Sequence, residues 1–263
     1  MTEKELLLTA LLNCKRSDLY TGGVSLDDKK EEILSSMLIR RKQGEPIQYI
    51  TGFTEFMGLH FKVDNRALIP RPETEILVEQ TVQLIENHFS GKDIGILDLC
   101  TGSGNIAISL AKSLENVKIT ASDISDRALE LAKENAVINN AQGKIGFLES
   151  NLFDKLSRDR LFDIIVCNPP YLKSDELEQS PIELSFEPRI ALYAGKKGIL
   201  FYSEIIKQAP RFIKKDGYLI FEIGFNQLRQ IKKISDASKK FVLEKVIKDY
   251  NNIDRVIFLR KVN

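Results

Sequence analysis

Histidine and cysteine are both scarce in this chain of 263 residues, with two of the first and three of the second. Cys14, Cys100 and Cys167 lie far apart and form no CxxC pair, so neither a disulfide framework nor a zinc site is expected, and no metal is assigned. An excess of one charge is also missing, since 38 basic side chains face 37 acidic ones. That balance leaves no general footprint for gripping nucleic acid, although a local patch stays open. No apolar run is long enough to span a bilayer, and the first residues lack the basic flank and apolar core of a signal peptide. A reducing, cytoplasmic setting is the expectation. Internal repeats and low-complexity tracts are absent too. The basic clusters RRK at 40–42 and KKISDASKK at 232–240 read as solvated faces, and His60 and His88 have no ligand-like neighbours.

What is present changes character along the chain. The stretch TEKELLLTALLNC opens with Thr2 and Glu5 at capping-box spacing, and its leucines are dense enough to bury one flank. After the turn-like YTGGVSLDD, a second helical pattern sets Ile33, Leu34, Met37 and Leu38 on one face. This opening segment is too small for an enzyme core and reads as a helical appendage. Residues 51–66 alternate apolar and polar side chains around Gly58, as a hairpin does. Pro72 then stands where a helix can begin.

From about residue 93 the pattern is strand, helix, strand, helix: IGILDL, NIAISLAKSL, VKITASD, SDRALELAKENAVINN, KIGFLE, FDIIVC, GILFYSEIIKQAPRFI and YLIFEIG. Such alternation predicts a mostly parallel sheet covered by helices on both faces. The tail adds a helix near QLRQIKKIS and two strands, FVLEKVIK and RVIFLRK, whose short polar connection favours an antiparallel pair.

In an open parallel sheet, ligands bind beyond the carboxyl ends of the strands. The first core strand ends there in LDLCTGSGNIA, where Gly102, Gly104 and Ala107 satisfy GxGxxA. Glycine tolerates the tight turn and lets a cofactor approach the backbone. Asp98, just before the turn, could accept from an ammonium group or brace the loop. Asp123, about twenty positions past the glycines, could accept from ribose hydroxyls or cap the next helix, a task open equally to Ser125. Turn and acid together indicate an adenosine-containing cofactor. A nicotinamide dinucleotide and S-adenosylmethionine both remain open on these residues alone.

The strand FDIIVC stops at Asn168, Pro169, Pro170 and Tyr171. Two prolines cannot continue a buried strand, because neither has an N–H for the ladder. They suit a stiff corner that holds a planar NH2 group, a carboxamide or a nucleobase amine. The Asn168 side-chain oxygen and the Pro169 carbonyl would accept its two hydrogens, and the Tyr171 ring would stack on its plane. No N–H of the prolines competes for those oxygens. Beside them, Glu187 and Arg189 could shape a lid or form a surface ion pair, and Arg71 and Glu73 could line the cleft or start a helix.

With these motifs in hand, the sequence resembles the protein-(glutamine-N5) methyltransferases that modify class I peptide-chain release factors, the PrmC/HemK family. The resemblance runs through RRKQGEPIQYITGFTEFMGLHFKVDNRALIPRPETE, LDLCTGSGNIAISLAK, ASDIS, FDIIVCNPPYL, FEPRIALYAG and GYLIFEIGFNQ. It implies a class I S-adenosylmethionine-dependent methyltransferase fold, Rossmann-like, with an antiparallel last strand and a small N-terminal helical domain. The expected division is 1–65 for release-factor docking, with a hairpin linker at about 51–66, and 67–263 for catalysis. The resemblance further implies that Cys100, Thr101, Gly102, Ser103 and Gly104 wrap the methionine end of the cofactor and that Asp123 holds its ribose. Asn168 to Tyr171 would bind the substrate glutamine of a Gly-Gly-Gln loop, with Asn168 touching both ligands. Two positions depart from the family pattern: Cys100 where glycine is frequent, and Leu152 where an aromatic ring often meets the adenine. Neither membrane nor direct nucleic-acid contact is expected. The alternatives are a nucleic-acid amino-methyltransferase and an NAD-dependent oxidoreductase.

Overall fold

The computed structural model describes residues 2–21 and 25–262. Gly22, Gly23 and Val24 of the expected YTGGVSLDD turn lie outside the described residues. Helix α1 (Glu3–Leu12) opens on the expected capping box: Thr2 Oγ1 accepts from Glu5 N at 3.3 Å, and the Glu5 carboxylate accepts from Thr2 N at 2.8 Å. Helix α2 (Asp28–Lys42) is capped by Asp27, and a short α3 (Ile47–Thr51) runs from Pro46 to Gly52, whose φ is +83°. The three close on a small core of Leu7, Leu34, Met37 and Ile50. The face expected on α2 is buried only in part. Leu34 and Met37 are covered, while Ile33 and Leu38 are 41% and 37% exposed, because helices this short cover one narrow stripe.

The hairpin joins β1 (Phe53–Phe56) to β2 (Leu59–Lys62) through Met57 and Gly58, both left-handed at φ 53° and 69°, as a tight two-residue connection requires. Phe56 and Phe61 are buried in the same cluster as the main sheet. Asn135, in the helix Asp126–Ile138, and Asn139, which ends that helix, bind the backbone of Lys62 and His60. Helix α4 (Pro72–His88) begins with Pro72 at its first position, where no N–H is needed.

The remaining elements alternate as the pattern predicts: β3 (Ile94–Leu99), α5 (Asn105–Ser113), β4 (Val117–Asp123), α6 (Asp126–Ile138), β5 (Ile145–Glu149) and β6 (Phe162–Cys167). There follow α7 (Ser174–Glu178), α8 (Leu200–Gln208), β7 (Ile213–Glu222), α9 (Leu228–Ser238), β8 (Phe241–Lys248) and β9 (Asp254–Lys261). They build one seven-stranded sheet in the order β5-β4-β3-β6-β7-β9-β8. Strands β3 to β7 run parallel, and β9 is antiparallel to both β7 and β8. Side chains alternate between two cores: Ile96, Ile164, Val166 and Ile220 face α4 and α5, whereas Leu97, Leu99, Ile165 and Leu219 face α8 and α9. Strand order reverses between β3 and β6, and register sets Leu99, Cys167 and Phe221 side by side. The residues that follow on β3 and β6, Cys100 and Asn168, therefore emerge together at the crevice, while Glu222, the last residue of β7, stays buried.

Candidate active site

The glycine turn leaves β3 through Cys100, Gly102 and Gly104, all at positive φ: 59°, 54° and 81°. Cys100 is thus a non-glycine residue in the left-handed region, the conformation that makes glycine frequent at such a position. A side chain on Gly104 would stand 3.1 Å from Ala132 Cβ and from Ile108 Cδ1, so this glycine lets α5 and α6 pack closely. Among the predicted turn residues, Gly104 is set behind the cleft rather than on its wall.

Asp98 is fully buried. Its Oδ2 accepts from Thr101 Oγ1 at 2.6 Å and from Ala107 N at 3.2 Å, which braces the turn, and among the described residues its Oδ1 has no partner. At the end of β4, Asp123 Oδ2 accepts from Gly102 N at 2.9 Å and Oδ1 from Ser125 N at 3.0 Å. It is Ser125 that caps α6, by accepting from Ala128 N, so the capping role considered for Asp123 falls to Ser125.

A cleft of about 220 Å³ lies over this turn, bordered by Cys100, Thr101, Gly102, Ser103, Asp123, Leu152, Asn168 and Pro170. Sequence reasoning missed most apolar members of its wall, Ile106, Ile124 and Phe201 among them. Ile124 directly follows Asp123 and is 51% exposed, so a large apolar side chain beside a strand-end acid was the available signal. These residues fit S-adenosylmethionine: the Asp123 carboxylate for hydroxyl groups and an apolar wall for a base. A pyrophosphate fits less well, because both glycine amides of the turn are already used, Gly102 N by Asp123 and Gly104 N by the Thr101 carbonyl at 2.8 Å. Two cations border the cleft among the described residues, Arg66, tied to Asp64 and Glu134, and Arg71, tied to Glu187.

A second cleft of about 470 Å³ adjoins the first and is lined by Arg41, Pro46, Ile47 and Gln48 from the helical N-terminal part, and by Pro169, Tyr171 and Leu172 from the corner. Asn168 borders both clefts. Its Nδ2 donates to Thr74 Oγ1 at 3.2 Å, and among the described residues no protein donor reaches its Oδ1 or the Pro169 carbonyl. Gln227, also missed, clamps the corner from behind: Nε2 donates to the Tyr171 carbonyl at 2.9 Å and to the Gly198 carbonyl at 3.1 Å.

Of the two readings open for Glu187 and Arg189, the surface ion pair between them is not formed among the described residues. Glu187 is buried and accepts from Arg71 and from Ile69 N, whereas Arg189 is exposed and lies over the Tyr193 ring at 5.4 Å. Backbone geometry explains this, since Glu187 precedes Pro188 in extended conformation and points inward, away from the next turn. Arg41 likewise departs from the solvated face assigned to RRK, binding Glu3 at 2.7 Å and Glu183 at 3.1 Å.

Burial pushes Asp98 up to about 7, and it pushes Glu222 at the end of β7 up to about 7 as well. Between the ordinary carboxylate range and about 7 the folded chain therefore holds more protons than the unfolded one, so these two acids cost stability as pH rises through that window. Glu134, paired with Arg66, is held down at about 2 and acts oppositely, losing its contribution as pH falls toward about 2. The melting temperature of the cofactor-free protein is expected to decline from about pH 5 to about pH 7.5, and Asp98→Asn should flatten the slope. A slope unchanged in that variant would remove Asp98 as its source.

A family model described as "Methyltransferase small domain" matches residues 74–184, and one described as "PrmC N-terminal domain" matches residues 2–52. The chain is similar to the release factor glutamine methyltransferase of Fusobacterium nucleatum subsp. nucleatum, 42% identical over 236 residues, which take in 89% of this chain and 65% of that relative. It thus spans slightly less than two thirds of that protein. With the release factor glutamine methyltransferase of Thermodesulfovibrio yellowstonii, identity is 36% over 260 residues, covering 98% of this chain and 92% of the relative. Among solved structures, the ribosomal protein L11 methylase of Lactobacillus delbrueckii subsp. bulgaricus shares the fold, with a TM-score of 0.53 at 21% identity over 74% of this chain and 81% of that one.

Proposed function

The chain belongs to the family of release factor glutamine methyltransferases, and from that premise we propose that it methylates the side-chain amide nitrogen of the glutamine in the Gly-Gly-Gln loop of class I release factors. It is an S-adenosylmethionine-dependent enzyme with the class I methyltransferase fold, whose mostly parallel sheet ends in antiparallel strands. We assign the cofactor to the cleft over the glycine turn and the glutamine to the adjoining cleft. One observation carries this reading: Asn168 stands in the wall common to both clefts, with its Oδ1 free of any protein donor among the described residues.

S-adenosylmethionine, when bound, supplies an electrophilic methyl group on a sulfonium. The chain's own task is to hold an amide nitrogen, a poor nucleophile because its lone pair is conjugated, in the right place. Asn168 Oδ1 and the Pro169 carbonyl accept the two amide hydrogens, which fixes the nitrogen and moves electron density toward it. Pro169 and Pro170 keep that carbonyl in place and offer no N–H to compete for it. Tyr171 covers the plane of the amide. Asp123 receives the ribose hydroxyls on lone pairs not used by Gly102 and Ser125. No group of the corner has to remove a proton beforehand, so alignment is the principal means of acceleration. The N-terminal helices, residues 1–65, take part in docking the release factor; support comes from Arg41, Pro46, Ile47 and Gln48 on the wall of the second cleft.

Among the described residues, no helix is long and apolar enough to cross a membrane. We place the reaction in the cytoplasm, where peptide chains are terminated, with the release factor rather than nucleic acid as partner. Mass spectrometry of purified release factor after incubation with enzyme and cofactor should find one added methyl group, on the loop glutamine. Methyl transfer to RNA or DNA with none to the release factor would replace this reading by a nucleic-acid amino-methyltransferase.

A further inference from the structure

We propose that Thr74 and Glu222 are positioning residues that decide which end of the Asn168 carboxamide faces the substrate. The inference deepens the reading above, in which Asn168 serves as an acceptor. A carboxamide is nearly symmetric in shape, one end a donor and the other an acceptor, so packing alone does not choose between its two orientations. If Nδ2 were turned to the substrate, donor would meet donor and the glutamine amide would be repelled. Something must set the polarity.

The backbone brings the necessary groups together. Asn168 and Glu222 are neighbours in register, each following the last residue pair between β6 and β7, Cys167 and Phe221. By the alternation of strand side chains both lie on the face covered by α4, whose first turn carries Thr74. Thr74 and Glu222 are each 1% exposed. Ionised Glu222 has no proton and can only accept, so the single hydroxyl proton of Thr74 goes to its Oε2, at 2.6 Å. Thr74 Oγ1 then has only lone pairs left for Asn168, and these demand the NH2 end, which is found there at 3.2 Å. Oδ1 is thereby turned the other way. The direction of the chain starts from the carboxylate: Glu222 orders Thr74, and Thr74 orders Asn168.

The other groups facing Glu222 leave this direction in place. Tyr171 Oη lies 3.5 Å from Oε1 and is a donor too. Arg255 is engaged by Asp249 and by the Ile223 carbonyl, while Glu73 adds like charge. Burial, helped by Glu73 and opposed by Thr74, Arg255 and Tyr171, raises Glu222 to about 7. A protonated Glu222 has a proton to give, Thr74 is free to turn its own toward Asn168 Oδ1, and the carboxamide loses its imposed orientation. Turnover should therefore fall as pH drops through about 7.

Three variants test the relay. Thr74→Val, of nearly the same shape, should lower kcat on the release factor about 10- to 100-fold, with KM for the cofactor changed less than about twofold. Thr74→Ser, which restores the hydroxyl, should recover kcat to within about threefold of the parent. Glu222→Gln should abolish the acid limb of kcat near pH 7. A readout that needs no release factor is the ¹⁵N NMR signal of the Asn168 side-chain amide: its protons should be protected from exchange in the parent and Thr74→Ser but not in Thr74→Val. Parental kcat in Thr74→Val, failure of Thr74→Ser to recover it, or an acid limb that persists in Glu222→Gln overturns the proposal. A parent enzyme that does not methylate the release factor overturns the proposed function instead, and the amide protection still decides the relay.

Discussion

Asn168→Ala is expected to lower kcat by roughly 10²- to 10³-fold while the melting temperature stays close to that of the parent, by analogy with removal of one preorganised hydrogen-bonding group from a transition-state site. Alanine removes the Oδ1 acceptor and leaves only the Pro169 carbonyl to orient the target NH2. An amide nitrogen with one fixed hydrogen can rotate out of line, and in the proposed mechanism in-line geometry is the main source of rate. Folding should be spared, since Asn168 is only partly buried and its one side-chain hydrogen bond among the described residues, to Thr74 at 3.2 Å, is long. Circular dichroism melting with single-turnover methylation separates the two effects. Retention of full single-turnover rate would mean that the corner orients the glutamine through backbone alone.

Asp123→Ala should act on the other cleft, weakening cofactor binding by roughly 10- to 100-fold with kcat at saturating cofactor nearly kept, because hydrogen bonds to a charged group contribute about 1.5–3 kcal/mol each. The carboxylate has two tasks. It accepts from Gly102 N at 2.9 Å and from Ser125 N at 3.0 Å, tying the glycine turn to the end of β4, and it faces the cleft where ribose hydroxyls would lie. Burial raises its proton affinity. Asp123→Asn should be nearly as harmful, because an NH2 turned to either backbone N–H sets donor against donor. Calorimetric titration with S-adenosylmethionine reads the effect directly, and parental affinity in Asp123→Ala would remove the ribose assignment.

Local signals carried much of this molecule. The capping box of Thr2 and Glu5, Pro72 at the head of α4, the hairpin about Gly58 and the strand–helix alternation after residue 93 appear where the residues place them. Each depends on neighbours a few positions apart, within reach of periodicity and turn chemistry. Helices α3 and α7, of five residues each, were not legible, since so short a run has no period to read. Ile33 and Leu38 looked like core residues and are exposed, because periodicity marks an apolar face but not how wide a partner covers it.

At the site, the stretches LDLCTGSG, ASD and NPPY were visible as chemistry from composition alone: glycines that permit positive φ, an acid at a strand end, prolines without N–H. Which acid braces the turn, which oxygen of Asn168 is free, and which partner Glu187 takes were decided only by folding. Thr74 and Asn168 are 94 positions apart, and Arg71 and Glu187 are 116 apart. Glu222 was one polar residue at the end of the apolar strand YLIFE, a weak mark whose meaning appears only when α4 is laid across it. Residue types and their short spacings thus dictate what groups the chain can offer and how its backbone turns. The direction in which those groups point is a property of packed strands and a crossing helix, because hydrogen-bond polarity is settled between partners that the linear chain keeps far apart.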